Sequence, residues 1–478
     1  MSSSNLTDSQ RRAVNELFRR LAPVADELGE LFAARGHELA LVGGSVRDVF
    51  LGRIGNDLDL TTDARPEQVL EIVKDWADAV WTIGIDFGTV GVRKGGWLLE
   101  ITTYRTESYD PASRKPDVEY GDTLDGDLAR RDFAVNAMAV RLPCHEFVDP
   151  YGGLPDLAAK VLRTPARPEQ SFDDDPLRML RAARFAAQLG FGVEAAVVEA
   201  MTAMAGRIEI VSAERIRDEL DKLLLGSRPR AGLALLVETG LAAHVLPELP
   251  KLRLEIDEHH RHKDVYEHTL IVLEQAIDLE TGGPDRVLRW AALLHDIGKP
   301  KTRRNEPGGR VSFHHHEVVG AQMAKKRLTE LRFPKDVVAD VSRLVELHLR
   351  FHGYGTGEWT DSAVRRYVRD AGHLLDRLHK LTRADCTTRN KRKAAALSRT
   401  YDQLEERIAR LAEEEELAKI RPELDGNEIQ EILGLPPGPV IGRAYRHMLE
   451  IRMDEGVIGK EAAREALLKW ARENDLLP

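Results

Sequence analysis

Residues 41–60, LVGGSVRDVFLGRIGNDLDL, constrain the fold more than any other stretch. A short apolar run ends in Gly43-Gly44, a helix-like segment follows, and the stretch closes on Asp57-Leu58-Asp59. Residues i and i+2 of a strand point to the same side of a sheet. On a strand, Asp57 and Asp59 therefore become two carboxylates on one face, a site for divalent cations that prefer hard oxygen ligands. The glycines let backbone approach a phosphate closely, and the helix start behind them offers free N–H groups and a positive dipole end. Taken singly, Gly-Gly marks a turn and Asp-x-Asp a solvated loop. Their order and spacing, with Arg47-Asp48 between them, select metal-assisted phosphoryl or nucleotidyl transfer.

The bulk numbers set wide bounds. A chain of 478 residues suggests about three domains as a first expectation. With 42% hydrophobic and 31% charged residues, it has the composition of a soluble protein. No apolar run approaches the ~18 residues of a membrane span, and MSSSNLTDSQRR lacks the apolar core of a secretory signal. With only Cys144 and Cys386, no disulfide framework is expected, and a reducing cytoplasm fits. The net charge of −10 argues against a uniformly basic nucleic-acid surface. Basic clusters nevertheless stand at Arg130-Arg131, 178–184, 299–304 and 389–393, and acid concentrates at 413–416, which reads as a solvated helix face.

Periodicity predicts a helix over 9–35, divided or kinked at Pro23, then strands at 38–42, 57–61, 80–85, 87–93 and 97–103, with a hairpin turn at Gly95-Gly96. Residues 108–127, polar and with two prolines, read as a mobile loop. From Asp174 onward the pattern is helical, with Leu177, Leu180, Ala183, Phe185 and Leu189 at core spacing and breaks near 190–192, 226–229, 240 and 247–250. A histidine-rich helical block fills 256–400. An acidic helix at 401–419 leads to the turn-rich connector RPELDGNEIQEILGLPPGPVIG and the closing helices.

Three further stretches carry chemistry. In RRDFAVNAMAV, Asp132 can accept from sugar hydroxyls and Arg130 and Arg131 can meet a triphosphate; an internal Arg–Asp salt bridge at a strand start is the structural alternative. In Asp174-Asp175-Pro176-Leu177-Arg178, the aspartates and Pro176 suit a helix N-terminus, and simple capping is the reading preferred for Asp173 and Asp174. Asp175 and Arg178, three apart, lie on one helical face. An acceptor beside a donor matches the edges of cytosine and adenine and mismatches uracil and guanine. Glu100, on LLEITTYR, is either a third carboxylate near the metals or a strand-edge charge paired with Arg105.

These motifs resemble, in order over residues 41–219, those of the bacterial class II CCA-adding enzymes of the polymerase-β-like nucleotidyltransferase superfamily. SAERIRDE at 212–219 is similar to that family's neck-helix motif, whose charges are expected to brace helices. One departure is Asp174 where many relatives have Glu. The resemblance implies an α+β protein: a small mixed α/β nucleotidyltransferase head (1–165), then an elongated helical neck for nucleotide templating and RNA (166–255), an HD metal-binding domain (256–400) and a helical tail (401–478). It implies Asp57 and Asp59 as catalytic Mg²⁺ ligands. It also implies nucleotide contacts from Gly43, Gly44, Arg47, Arg131, Asp132, Asn136, Asp175, Arg178, Arg181 and Arg184. The activity implied is template-independent addition or repair of the tRNA 3′-terminal CCA from CTP and ATP with release of pyrophosphate, in the cytoplasm and without a membrane. The segment 108–127 would help switch from C to A addition, which favours the complete CCA activity.

A second resemblance lies downstream. His268, His295, Asp296 and Asp385 match the metal ligands of the HD phosphohydrolase superfamily, and His316 and His348 match positions for a second metal or a phosphate. Taken singly, a histidine here reads as a surface or core residue, His314 and His315 among them. Imidazole and carboxylate together suit Mn, Fe, Co, Ni or Zn. Phosphatase or 2′,3′-cyclic phosphodiesterase activity, or a mainly structural role, all remain open for this block. The alternatives for the whole chain are a poly(A) polymerase, a partial CC- or A-adding enzyme, an HD metallohydrolase with an RNA-binding head, and an RNA-binding scaffold.

Overall fold

The computed structural model describes residues 8, 12, 24–53, 55–108, 117–121, 123–253, 264–307, 310–354, 359–387, 391–415 and 421–476. The chain divides into two compact units, Met1–Pro250 and Lys251–Pro478.

The first unit opens on a sheet. Its strands are β1 (Leu39–Val42), β2 (Asp57–Thr62), β3 (Ala79–Trp81), β4 (Thr89–Lys94), β5 (Trp97–Thr103), β8 (Ala139–Leu142) and β9 (Glu146–Val148), in the order β3-β4-β5-β2-β1-β8-β9. A separate hairpin pairs β6 (Arg105–Ser108) with β7 (Asp117–Tyr120). Within the seven-stranded sheet β2 and β5 run parallel and the other neighbours antiparallel. Alternation sorts the two faces. Leu58, Leu60, Val90, Val92, Leu99 and Ile101 are all buried, and the helix Pro66–Val73 packs on β4 and β5. Asp57, Asp59 and Glu100 are left on the other face, exposed.

Several expectations are corrected here. The strand expected at 80–85 stops at Trp81, because a tight turn and the 3-10 segment Ile85–Phe87 follow, with the Gly84 carbonyl accepting from Phe87 and Thr89. Residues 108–127 are not one loop. Asp117–Tyr120 is a strand, and Leu124–Ala129 is a helix whose N-cap Thr123 accepts from Gly126 N–H. A polar two-stranded hairpin has no apolar period to betray it; residues 109–116 and 122 lie outside the described residues. Of the helix expected at 9–35, residues 24–33 are helical; residues 9–11 and 13–23, Pro23 among them, lie outside the described residues.

After the sheet come short helices, among them Pro168–Asp174, Leu177–Leu189, Ala195–Met204, Ala213–Leu224 and Pro229–Glu238. Leu177, Leu180, Ala183 and Phe185 are buried and Leu189 is half-buried.

The second unit is helical apart from a hairpin of Arg304–Glu306 with Arg310–Ser312. Its inner helices are Val265–Asp278, Arg286–Leu294, His316–Glu330, Lys335–Leu347 and Leu375–Asp385, around Trp290, Leu273, Val345 and Leu378. One helix, Lys391–Glu415, runs across residue 400 without a break, so the acidic segment continues a helix rather than starting one; residues 388–390 and 416–420 lie outside the described residues. The connector expected after it contains the helix Gly426–Leu433, set by a reciprocal capping box between Asp425 and Glu428. With Pro439–Glu455 and Lys460–Glu473 this helix closes its own core around Ile429, Met448 and Leu467.

Candidate active site and metal centre

Asp57 and Asp59 stand two apart on β2, and the parallel register sets Asp59 opposite Glu100. Three carboxylates thus share one face. Asp59 keeps an open surface, yet the protein packed around its carboxyl strips it of water; this desolvation and the neighbouring Asp57 raise the carboxyl above its ordinary value, against the pull of Arg131. Burial and the charges of Asp59 and Asp57 raise Glu100 likewise. Carboxylates that resist ionisation together fit a divalent cation as the missing counter-charge. Arg105, the alternative partner of Glu100, donates to Thr89 Oγ1 at 2.7 Å. Ser45, one residue into the helix Gly44–Phe50, accepts from the Asp59 N–H at 2.9 Å and fixes that strand against the glycine turn.

A cavity of about 560 Å³ opens beside Asp59. It is lined by eight arginines, at 47, 105, 130, 131, 178, 181, 184 and 215, against the four acids Asp59, Asp127, Asp132 and Asp175. Of the residues expected at a nucleotide site, Gly43, Gly44, Arg47, Arg131, Asp132, Asn136, Asp175, Arg178, Arg181 and Arg184 all line it; Asp57 does not. A Cβ on Gly43 would come 2.9 Å from Arg131 Nη1, so a larger residue there would displace an arginine from the cavity. The Gly43 N–H itself donates to the Met138 carbonyl at 3.3 Å. Arg131 also pairs with Asp127 at 3.0 Å.

Below the cavity runs a chain of polar contacts. Arg47 donates to Asn136 Oδ1 at 2.7 Å, Asn136 donates to Asp132 Oδ1 at 2.9 Å, and Arg181 pairs with Asp132 Oδ2 at 2.9 Å. Burial works against the charge of Asp132, but Arg181 and the Asn136 hydrogen bond outweigh it and hold its carboxyl below the ordinary value. The Arg–Asp salt bridge weighed for this motif therefore exists, made with Arg181 from the helix Leu177–Leu189 rather than with Arg130 or Arg131.

Asp173 and Asp174 do not cap the helix that follows. They form the last turn of Pro168–Asp174, where Asp173 pairs with Arg207 at 2.7 Å and Asp174 accepts from Gln170 at 2.7 Å. The Arg167-Pro168 start makes that segment a helix of its own. Asp175 is extended, with φ −146° and ψ 101°, so it sits at the helix entrance and not on its face. Its Oδ1 accepts from Leu177 N–H and its Oδ2 from Arg215, both at 3.0 Å. Arg178 is buried and donates to Ser171 and to the Arg130 carbonyl. Arg184 pairs with Glu219 of the helix Ala213–Leu224.

In the second unit, six side chains meet. His268 Nε2 lies 3.0 Å from Asp385 Oδ1 and 3.4 Å from Asp296 Oδ2, and His295 Nε2 lies 3.2 Å from Asp296 Oδ2. His316 Nε2 is 3.3 Å from Asp296 Oδ1, and the His348 ring centroid is 5.3 Å from those of His295 and His316. Two groups result, His268-His295-Asp385 and Asp296-His316-His348. Each ring is fixed through Nδ1: His295 to Ala292 O, His316 to Phe313 O, His348 to Val345 O and His268 to Thr387 Oγ1. With Nδ1 so engaged, Nε2 is the nitrogen each ring has for a metal, and fixing the far nitrogen is how proteins orient such ligands. His316 Nε2 is buried without a hydrogen-bonding partner, as expected of an unused ligand. Burial opposes the charge of Asp296, but His295 and His316 hold its carboxyl well below the ordinary value; burial and then His295 push His348 down to about 3. His314 and His315 are exposed.

Three regions match family models: residues 39–163 the Poly A polymerase head domain, 190–252 the probable RNA and SrmB-binding site of polymerase A, and 265–412 the HD domain. The A-adding tRNA nucleotidyltransferase of Deinococcus radiodurans is 34% identical over 440 residues, 91% of this chain and 96% of the relative. The chain belongs to the tRNA nucleotidyltransferase family. The CC-adding enzyme of Thermus thermophilus is 34% identical over 90% of this chain and 93% of its own. The solved CCA-adding enzyme of Bacillus stearothermophilus in complex with CTP superimposes with a TM-score of 0.67 at 26% identity, covering 95% of this chain and 98% of that one.

Within this nucleotidyltransferase, four contributors escaped sequence reading. Ser45 and Thr387 act through partners distant in sequence. Asp127, four residues before Arg131, and Lys299, whose Nζ lies 2.6 Å from the Oδ2 of Asp296 three residues back, carried local signals. Among the described residues, no helix is long and apolar enough to cross a membrane.

Proposed function

We propose that this chain extends the 3′ end of tRNA with C and A from CTP and ATP, releasing pyrophosphate. The observation that carries the reading is the convergence, on one cavity, of Asp59 from the carboxylate face, an arginine-rich wall, and Asp175 with Arg178. Asp57 and Asp59, with Glu100 beside them, would hold Mg²⁺, which when bound neutralises phosphate charge and acidifies a bound hydroxyl. Arg131, Arg181 and Arg184 face the triphosphate, where guanidinium forks match phosphate oxygens. Gly43 and Gly44 leave room for it, and Arg47 and Asn136 hold Asp132 in place for a ribose hydroxyl.

Base choice follows from what Asp175 and Arg178 have left to offer. Leu177 and Arg215 take one lone pair on each Asp175 oxygen, and each oxygen keeps another for an exocyclic amino group. Three bonds engage Arg178 in a cavity wall, and its remaining donors suit a ring nitrogen. The protein, rather than a nucleic-acid strand, then acts as template for C and A.

The second centre is read as a site for divalent transition metal, such as Mn, Ni, Co, Fe or Zn, held by His268, His295, Asp296 and Asp385, with His316 and His348 for a second ion or a phosphate. A phosphoesterase activity there is favoured by the six-residue cluster and its orphaned His316 Nε2. The test of the main reading is a tRNA transcript ending at the discriminator base, incubated with Mg²⁺ and each NTP singly and together. Addition of C, C and A followed by arrest supports it. A long A tract from ATP alone would make the chain a poly(A) polymerase, and addition of only CC or only A would make it a partial enzyme.

A further inference from the structure

Strand register carries the carboxylate face outward across the sheet. Asp59 on β2 stands opposite Glu100 on β5, Glu100 opposite Gly91 on β4, and Gly91 opposite Trp81 on β3. The neighbouring row on the same face reads Asp57, Leu98, Arg93 and Ala79. At Gly91 a Cβ would stand 2.0 Å from Trp81 Cε2 and Nε1, so the indole fills the space above that glycine. Trp81 stays half-buried, Arg93 is exposed and Leu98 is 42% exposed. The opposite face is covered by the helix Pro66–Val73, and among the described residues this one is left open at Arg93 and Leu98.

We propose that this shelf seats the unpaired 3′ end of the RNA, with Trp81 as a stacking platform and Arg93 as a phosphate contact. The inference rests on the transferase reading, since it is the RNA 3′ hydroxyl that must reach Asp57 and Asp59. Neighbouring strands lie ~4.8 Å apart, which puts Trp81 about 14 Å from Asp59 across three strands. That is a few nucleotides back from the reacting end. An aromatic face beside a cation is the combination that holds single strands without reading their sequence. Such tolerance suits an acceptor end that must be held whatever base it carries. Leu98, between the carboxylates and Arg93, gives the sugar an apolar floor.

Covering a strand glycine with an aromatic also stabilises a sheet, so the test has to separate seating from folding. The full-length protein is titrated, by fluorescence anisotropy, into a labelled tRNA transcript with an unpaired 3′ end and into the same transcript with its unpaired nucleotides removed. Trp81→Ala is expected to weaken binding of the first about tenfold or more and leave the second unchanged, with KM for CTP as in wild type; the melting temperature falls with loss of the cover on Gly91, and unchanged binding of the second transcript shows that the fold is retained. Trp81→Phe should restore most of the loss. Arg93→Gln, which disturbs no core contact, should weaken RNA binding modestly and lower the salt dependence by about one counterion. Wild-type affinity in both Trp81→Ala and Arg93→Gln overturns the proposal, as does an equal loss on both transcripts. Absence of nucleotide addition by the wild type would instead overturn the transferase reading, because the binding comparison does not depend on turnover.

Discussion

The two metal-binding regions of this chain are built on opposite principles. In the first, the carboxylates stand together on one open strand face, and desolvation and mutual repulsion raise the proton affinity of Asp59 and Glu100. In the second, Asp296 is 1% exposed, His295 is fully buried, and the carboxyl is held ionised by the imidazoles around it. The first is under-neutralised and open, as a site must be if it admits a triphosphate and a nucleic-acid end and then lets both go. The second supplies its own counter-charges and fixes each ring from behind, as a centre must be if it keeps its ion. Openness and charge balance, more than ligand type, separate the two clusters here.

The sharpest way to break this comparison is to disable one region and read both. Asp59→Asn should lower nucleotide addition on the order of 10³-fold or more while bound transition metal, measured by elemental analysis, stays as in wild type. His295→Ala should strip that metal and leave nucleotide addition within about threefold of wild type. Loss of addition in both variants would mean the two regions are not independent.

A smaller effect is expected at the base-reading end. Asp175→Ala removes the acceptor and releases Arg215, so discrimination of CTP over UTP, measured as the ratio of kcat/KM values, should fall by about 10². Unchanged discrimination would remove Asp175 from the template.

Next comes Asp132, whose carboxyl is depressed in the folded protein. A depressed carboxylate contributes stability that is present above its unfolded value, near 3.9, and lost as pH falls through the folded value. Asp132→Asn should therefore cost about 2 kcal/mol at neutral pH through lost charged hydrogen bonds. The gap between variant and wild type, followed by denaturant unfolding, should narrow below about pH 4. The smallest contrast lies between neighbours. His315→Ala, at a side chain 84% exposed, should change stability and metal content by no more than about 0.5 kcal/mol and nothing measurable, whereas His316→Ala should lower metal retention.

What the sequence made legible was local. Asp57 and Asp59 announced themselves through the period of a strand, and Asp296 and His295 through adjacency. Glu100 stayed ambiguous because its place beside Asp59 depends on the parallel pairing of β2 with β5, which no local pattern encodes. The tie from Arg215 to Asp175 was equally out of reach, since it joins two helices forty residues apart. Asp173 and Asp174 misled because acids before a proline look like caps, and only the separate helix Pro168–Asp174 turns them into the end of one element. The hairpin of β6 and β7 was missed for want of apolar alternation.

The contacts through Asn136 have a direction. An amide presents its oxygen to one side and its nitrogen to the other, so it accepts from Arg47 and passes a donor on to Asp132, which Arg181 meets from the far side. Asp132 is thus the terminus of two converging lines of donors, one from the sheet region and one from the helix that bears Arg178. A segment exchanged within residues 47–181 keeps the circuit where the donor carries the same four residues, and one that lacks any of them leaves a buried charge or amide without its partner. Chimeras joined within that span should therefore fold or fail according to whether all four residues are present.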